Sequence, residues 1–211
     1  ELGVSVNRLS QENRTWVLSR LHVEMDRYPR WQDEIRIETW PSGENGLLAT
    51  REFVLSDADG DNLGRATSAW LIIDIDRRRP VRIPDYVSDI PLPDRERVLP
   101  ETEDLPAPEN AAFEITFHVR HGDLDLNAHV NNVHYAEWAV ETLPDDILDA
   151  YRATSLEIQY RAETSRGDTV IAQAEEVSSK PRTFQHCLLS AESEREVARL
   201  RTRWEPRKTE R

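Results

Sequence analysis

The stretch His118-Val-Arg-His-Gly-Asp-Leu-Asp-Leu-Asn-Ala-His-Val-Asn-Asn-Val-His134 holds four of the six histidines of a 211-residue chain, with two aspartates and three asparagines among them. From its end onward, Val133, Ala136, Val140 and Leu143 recur at three- and four-residue steps. That spacing predicts an amphipathic helix from Asn131 to Leu143 with this stripe buried, stopped by Pro144. Asp125, Asn127 and His129 sit at alternate positions. An extended backbone would aim all three the same way and turn Leu124, Leu126 and Ala128 toward protein. A carboxylate, an amide and an imidazole on one surface can orient a water, donate to a carbonyl oxygen and shuttle a proton. The first N–H groups of the adjoining helix lack intrahelical acceptors and carry the positive end of its dipole, so a developing oxyanion would be stabilised there.

Each of these residues also has a structural reading. Asn131 or Asn132 suits a helix cap, Asp123 a turn brace with Gly122, and His118 and His121 strand or rim positions. The side chains of His118, His121, Asp123, Asp125, His129 and His134 are all ligand types for zinc or iron. His129 and His134, however, are five apart across a helix start, and no His-x-x-x-His pair exists. No metal and no cofactor is expected.

Working outward, seven of the twelve prolines fall between Pro80 and Pro108, which predicts an extended connector over 80–111. It separates a first half, 1–79, from a second, 112–211. Both halves read mainly as strand, giving an α+β class. In the first, Leu18 to Met25, Glu34 to Trp40, Leu48 to Leu55 and Gly64 to Asp74 are predicted strands, with Pro41 to Gly46 a turn. Asp57 to Asn62 reads as a hairpin turn rather than a calcium loop, because its Gly and closing Glu are out of place. In the second, strands are predicted at Ala112 to Arg120, Ser155 to Tyr160, Asp168 to Val177, Thr183 to Ser190 and Val197 to Glu205. A shift of 135 residues sets Val23 on Ile158, Asp33 on Asp168 and Ile35 on Val170, and brings Trp70 one residue from Trp204, as a duplicated unit would. The first half has no counterpart of the helix. With Met25 the only methionine and no initiator Met, the chain is expected to start inside a larger protein.

Composition narrows the function classes. A net charge of -13 argues against a nucleic-acid binder. There is no apolar run of the length a membrane span needs, and the first five residues lack the blocks of a signal peptide. The single cysteine, Cys187, excludes an intrachain disulfide framework and suits a reducing cytoplasm.

At the central segment the chain resembles the acyl-acyl carrier protein (acyl-ACP) thioesterases of bacteria and plant plastids. Asp123-Leu-Asp-Leu-Asn-Ala-His-Val-Asn-Asn-Val-His-Tyr135 with Glu137-Trp138 is similar to that family's Asp-x-Asn-x-His-Val-Asn-Asn signature and helix. The likeness continues in Tyr160-Arg161-Ala162-Glu163. In the first half it is carried by Trp16-Val17-Leu18, Arg27-Tyr28-Pro29, Thr39-Trp40, Ala66-Thr67-Ser68-Ala69-Trp70 and Arg77-Arg78. The resemblance implies two tandem hot-dog domains, each an antiparallel sheet wrapped on a helix, the first lacking its helix here. It implies hydrolysis of fatty acyl-ACP, with Asp125, Asn127, His129 and Glu163 as catalytic residues. Glu163 would activate water, Asn127 and His129 would hold the reacting atoms, and Asp125 would fix the network.

Many plant members carry Cys directly after this Glu; here the position is Thr164. Cys187 lies 23 residues beyond Thr164, so water activated by a carboxylate is favoured over a cysteine acyl-enzyme.

An acidic carrier needs positive ground. Arg77, Arg78 and Arg79, with Arg82, form one basic cluster; Arg195, Arg199, Arg201, Arg203, Arg207 and Lys208 form another. The tryptophans Trp16, Trp31, Trp40 and Trp70 suit either an acyl pocket or core packing. Two other functions share the fold: an acyl-coenzyme A thioesterase and a non-catalytic acyl-binding protein. A homodimer is compatible with the sequence, although two fused halves already make the pairing that single-unit relatives achieve by dimerising.

Overall fold

Alternating apolar and polar residues become antiparallel sheet in a computed structural model that describes residues 6–100 and 103–207. Lys208 therefore lies outside the described residues. The chain divides into two units, Glu1–Glu101 and Thr102–Arg211.

The first unit contains β1 (Arg14–Met25), β2 (Ile35–Glu44), β3 (Leu48–Asp57), β4 (Asn62–Asp74) and β5 (Arg79–Val81). They pair antiparallel in the order β2–β3–β4–β1, with β5 against β4. The 57–62 segment is a hairpin connection: the Asp57 carboxylate accepts the N–H groups of Asp59 (3.1 Å) and Asp61 (2.9 Å), and Gly60 supplies a positive φ of 90°. The turn expected over Pro41 to Gly46 is displaced. Strand β2 runs on to Glu44 through a register shift between Pro41 and Gly43, which accommodates a residue with no N–H to donate. The chain reverses instead at Asn45, whose side chain accepts from Leu47 (3.3 Å) and Leu48 (2.9 Å).

Two short helices of this unit escaped the sequence pattern, α1 (Val6–Gln11) and α2 (Asp85–Ser88). Six and four residues are too few to display a 3.6-residue period. Leu9 of α1 is fully buried, so tertiary burial fixes that turn. The Glu52 carboxylate is also fully buried. It accepts the Ser42 and Thr67 hydroxyls and the Val98 N–H at 3.2 Å, tying the Pro-rich segment down onto β3.

The second unit contains β6 (Phe113–His118), α3 (Asn132–Glu141), α4 (Asp145–Ala150), β7 (Tyr151–Tyr160), β8 (Thr169–Ser179), β9 (Arg182–Ser190) and β10 (Glu196–Pro206). Its antiparallel order is β7–β10–β9–β8–β6. Helix α3 lies against β8, β9 and β10, the hot-dog arrangement of sheet around helix. Strand order repeats between the units, with β2–β3–β4–β1 matching β8–β9–β10–β7, and α1 precedes β1 as α4 precedes β7. Among the described residues the first unit has no counterpart of α3.

The buried stripe of α3 differs in part from the one expected: Leu143 is buried and Val140 packs against the core, but the face is shifted at its start. Val133 is 57% exposed, whereas Tyr135, Trp138 and Ala139 are buried. The larger aromatic surfaces decide which face turns inward: Trp138 stacks on Phe117 with ring centroids 5.7 Å apart and meets Tyr135 at 5.7 Å. Phe184, Leu188 and Leu200 are fully buried in the sheet. Each such side chain contributes about 2 kcal/mol relative to exposure. Gln159 performs the tie that Glu52 performs in the first unit. Its Oε1 accepts the Leu105 N–H (3.2 Å), and its amide donates to the Glu103 carbonyl (2.6 Å).

His186 on β9 is fully buried, its Nε2 2.9 Å from the Thr202 hydroxyl, which also accepts from the Trp204 indole at 2.8 Å. Burial lowers its pKa from 6.5 to about 3, with a backbone contact to Ala139 opposing the shift. Between those values the unfolded chain binds a proton that the folded chain refuses, so this residue makes stability fall as pH drops from 6.5 toward 3, by about 1.4 kcal/mol per pH unit. Urea unfolding at pH 7 and pH 4.5 should show His186→Gln losing about 2–3 kcal/mol less than the parent chain over that interval. Equal losses would contradict a buried neutral imidazole.

Candidate active site

The segment between β6 and α3 is organised by two aspartates. Asp123, buried at the end of a single 3-10 turn (His121–Asp123), accepts the Arg120 N–H (2.7 Å) and its guanidinium (3.0 Å). Burial alone would raise the Asp123 carboxyl, but the Arg120 hydrogen bonds outweigh it and hold it below the ordinary carboxylate value. The Asp123 carbonyl accepts the Asn131 N–H at 2.8 Å, closing the loop.

Inside that loop the backbone is not extended. Leu124 and Val130 form an antiparallel bridge, the Asp125 N–H donates to the His129 carbonyl (2.8 Å), and the Ala128 N–H donates to the Asp125 carbonyl (3.1 Å). Ala128 takes a left-handed φ of 61°. The Asp125 carboxylate draws the turn around itself, accepting the N–H of Asn127 (2.8 Å), the N–H of His129 (3.3 Å) and the Asn127 side-chain amide (3.3 Å). Alternation along a strand therefore does not unite these three residues; a carboxylate-centred turn does. It leaves Leu126 fully exposed and Ala128 exposed, contrary to the inward placement expected for them.

Glu163 reaches this turn from the chain beyond β7. Arg161 and Ala162 both donate their N–H groups to the Val197 carbonyl (2.9 and 3.2 Å). The Thr164 carbonyl accepts the Val130 N–H at 2.9 Å, and Ser165 bridges to His129. Thr164 is buried with its hydroxyl 2.8 Å from the Tyr135 hydroxyl of α3. Between these fixed neighbours, a carboxylate oxygen of Glu163 lies 3.4 Å from His129 Nε2. Both side chains keep partial exposure, 41% for Glu163 and 31% for His129, so water has access to the pair.

Asn131 caps α3, its side chain accepting the Val133 N–H at 3.2 Å, and its carbonyl accepts the His134 N–H at 3.0 Å. The N–H of Asn132 is the one in this first turn that no described residue engages. The Tyr160 hydroxyl donates to the Asn132 carbonyl (3.1 Å), holding that peptide in place.

The other candidate ligands diverge. His118 meets the Thr169 hydroxyl (3.3 Å) and His134 meets Glu137 (2.6 Å), while Asp123 is held by Arg120. Among the described residues no three His, Cys, Asp or Glu side chains are grouped to hold a metal ion. The basic clusters separate as well. Arg77, Arg78 and Arg79 are exposed at the turn between β4 and β5, with the Arg77 N–H donating to Asp74 (2.8 Å). Arg201, by contrast, forms a two-pronged pair with buried Glu157 (2.8 and 2.8 Å), and Arg199 holds Glu196 (2.6 Å) and the Leu105 carbonyl (2.8 Å). Those two guanidiniums are engaged within their own unit.

Comparison with known proteins identifies the family. Residues 1–90 match the acyl-ACP thioesterase N-terminal domain and residues 107–206 match the acyl-ACP thioesterase C-terminal domain. The chain belongs to the acyl-ACP thioesterase family. The oleoyl-acyl carrier protein thioesterase 2 of Arabidopsis thaliana is 33% identical over 90% of this chain and 60% of its own length. An acyl-ACP thioesterase from Bacteroides thetaiotaomicron superimposes with a TM-score of 0.81 at 28% identity, over 96% of this chain and 82% of that one. The 12:0-ACP thioesterase of Umbellularia californica gives a TM-score of 0.81 at 29% identity, over 96% of this chain and 77% of that one. The chain spans about half the length of the curated relatives it matches.

Cys187 is buried on β9, and burial pushes its thiol up to about 11. At pH 8 only about one molecule in a thousand would carry the thiolate. Iodoacetamide at that pH should modify Cys187 slowly in the folded chain and rapidly after urea unfolding; equal rates would reveal an accessible thiolate.

Proposed function

We propose that this protein hydrolyses the thioester of a fatty acyl-acyl carrier protein, releasing the free fatty acid, and that Glu163 activates the attacking water. The observation that carries this reading is the 3.4 Å approach of Glu163 to His129 Nε2 beside the first turn of α3. Glu163 takes a proton from water, whose oxygen attacks the thioester carbon. The carbonyl oxygen gains negative charge, and the tetrahedral species collapses with cleavage of the carbon–sulfur bond, the proton passing to the departing sulfur. His129 orients Glu163 and the water. The Asn127 amide and the open N–H of Asn132 are the donors available to the oxyanion. Asp125 acts through its hold on Asn127 and on the His129 backbone. The buried, neutral thiol of Cys187 supports water as the nucleophile. A reducing compartment such as the cytoplasm accords with that single thiol, and no helix among the described residues is long and apolar enough to cross a membrane.

Hydrolysis of a panel of acyl-carrier thioesters tests the reading. Glu163→Ala should lower kcat about 10²- to 10⁴-fold, as loss of a general base does. Asn127→Ala and His129→Ala should each lower it about 10²-fold or more, as loss of an oxyanion donor or water-orienting group does. An acyl chain bound without turnover, indifferent to Glu163→Ala, would instead establish an acyl-binding protein. Preference for acyl-coenzyme A over the carrier thioester would reassign the thiol.

Arg77, Arg78 and Arg79 are our candidate contact for the body of the acidic carrier, supported by their exposure at the β4–β5 turn. Reversing all three to Glu should raise KM for carrier-bound substrate by roughly ten-fold or more, since like charge opposes the encounter. An unchanged KM would remove this cluster.

A further inference from the structure

The turn that follows Glu163 carries an exposed cation at its tip. Residues 165–168 close on themselves: the Asp168 N–H donates to the Ser165 carbonyl (3.2 Å), and the Asp168 carboxylate accepts the Ser165 N–H (2.8 Å). Gly167 supplies the positive φ of 91° that so tight a turn requires. This turn is pinned to the exit of β6, because the Gly167 N–H donates to the Val119 carbonyl (3.2 Å) and the Val119 N–H donates to the Asp168 carbonyl (2.9 Å). Arg166 is left exposed at the tip, and its guanidinium meets no partner among the described residues.

The acids nearby are already committed: Asp168 to the Ser165 N–H, Asp123 to Arg120, and Glu163 to His129. On the opposing segment Arg120 adjoins Val119, and its side chain remains 80% exposed although it clasps Asp123. Arg166 is three residues from Glu163, a backbone span of at most about 10 Å. An unpaired guanidinium so close to a carboxylate that must meet substrate is poorly explained as ordinary surface, and a planar fork of N–H donors fits two oxygens of a phosphate.

Resting on the reading that Glu163 and His129 form the hydrolytic site, we propose that Arg166 binds the phosphate of the phosphopantetheine arm through which the carrier presents its acyl group. The arm's sulfur must reach the Glu163–His129 pair, and its phosphodiester is the fixed negative charge at the far end of an otherwise neutral tether. Arg166 holds that end as the thioester enters, and the contact acts on binding rather than on bond breaking.

The test compares carrier protein with and without its arm. The parent chain should bind the armed carrier roughly ten-fold more tightly, the effect of one charge-assisted contact, and Arg166→Ala should narrow that preference to less than about two-fold. Arg166→Lys, which keeps the charge and loses the fork, should retain part of it. In steady-state hydrolysis Arg166→Ala should raise KM for the acyl-carrier roughly ten-fold while kcat moves less than about two-fold. Its loss of kcat/KM on an acyl N-acetylcysteamine thioester, which has no phosphate, should be at least about five-fold smaller. Equal losses on both thioesters, an undiminished preference for the armed carrier, or an effect confined to acyl-coenzyme A would each overturn the assignment. A parent chain that hydrolyses nothing yet prefers the armed carrier in an Arg166-dependent way would sink the hydrolase reading and leave the phosphate contact standing.

Discussion

The hydrogen bond from the Val130 N–H to the Thr164 carbonyl, 2.9 Å long, is the constraint on which the candidate site rests. It fastens the last residue before the helix cap to the residue after Glu163, across a gap of more than thirty positions in the chain. The His129–Ser165 bridge runs beside it, and the Tyr135–Thr164 hydroxyl pair, buried beneath, continues the same seam into α3. Without this seam the Asp125 turn would be a well-made local structure facing nothing. Glu163 itself is partly exposed and has no regular strand to hold it, so its position is inherited from neighbours whose polar groups are satisfied. This division is physically sensible: a group that must meet water and substrate stays accessible, and the rigidity is supplied by the residues on either side.

The sequence made some of this legible and hid the rest for identifiable reasons. Strands survive translation from pattern to structure because their period is two and their bounding turns are rich in Asp, Gly and Asn; the Asp57 hairpin is a clear case. The existence of α3 was legible from its stripe and its stop, and its orientation only in part. Leu143 and Val140 of the stripe reach the core, whereas Val133 is exposed and the aromatic Tyr135 and Trp138 turn inward. Asp125, Asn127 and His129 were recognisable as a polar constellation, yet the geometry assigned to them was wrong. Short polar side chains bond their own backbone, and an Asp that accepts two N–H groups can fold an apparent strand into a turn. Capping posed the same difficulty: Asn131 satisfies Val133, so fewer helix N–H groups are open than a bare helix end implies. The pairing of Glu163 with His129 was not available from spacing at all and entered through a family resemblance.

Buried polar groups show a second kind of information that composition conceals. Glu52, Glu157, Gln159 and His186 look like surface residues in a chain that is 32% charged, but each is buried and each has a defined partner. Glu52 and Gln159 accept backbone N–H groups from the Pro-rich segment, where few regular hydrogen bonds are available because proline donates none. A connector that reads as loosely extended is thereby tied at Val98 within the first unit by Glu52 and at Leu105 within the second by Gln159 and Arg199. Proline content suggests an extended backbone, yet Asp85–Ser88 within this segment is helical, and the content says nothing about what receives the remaining N–H groups.

Charge is the property in which the whole chain and its site diverge most. A net charge of -13 would repel an acidic partner at long range, but beyond about 10 Å at moderate ionic strength that field is largely screened. What a docking partner meets is the balance of the groups at the contact. Arg199 and Arg201 look like docking residues by spacing and are excluded by their internal carboxylates, whereas Arg166 is unremarkable by spacing and stands out because its guanidinium meets no partner among the described residues. The relevant quantity is therefore the number of cations left over after internal pairing, which requires coordinates. On that measure a strongly acidic chain and an acidic carrier are compatible, provided that the unpaired guanidinium stands where the carrier's own charge must come closest.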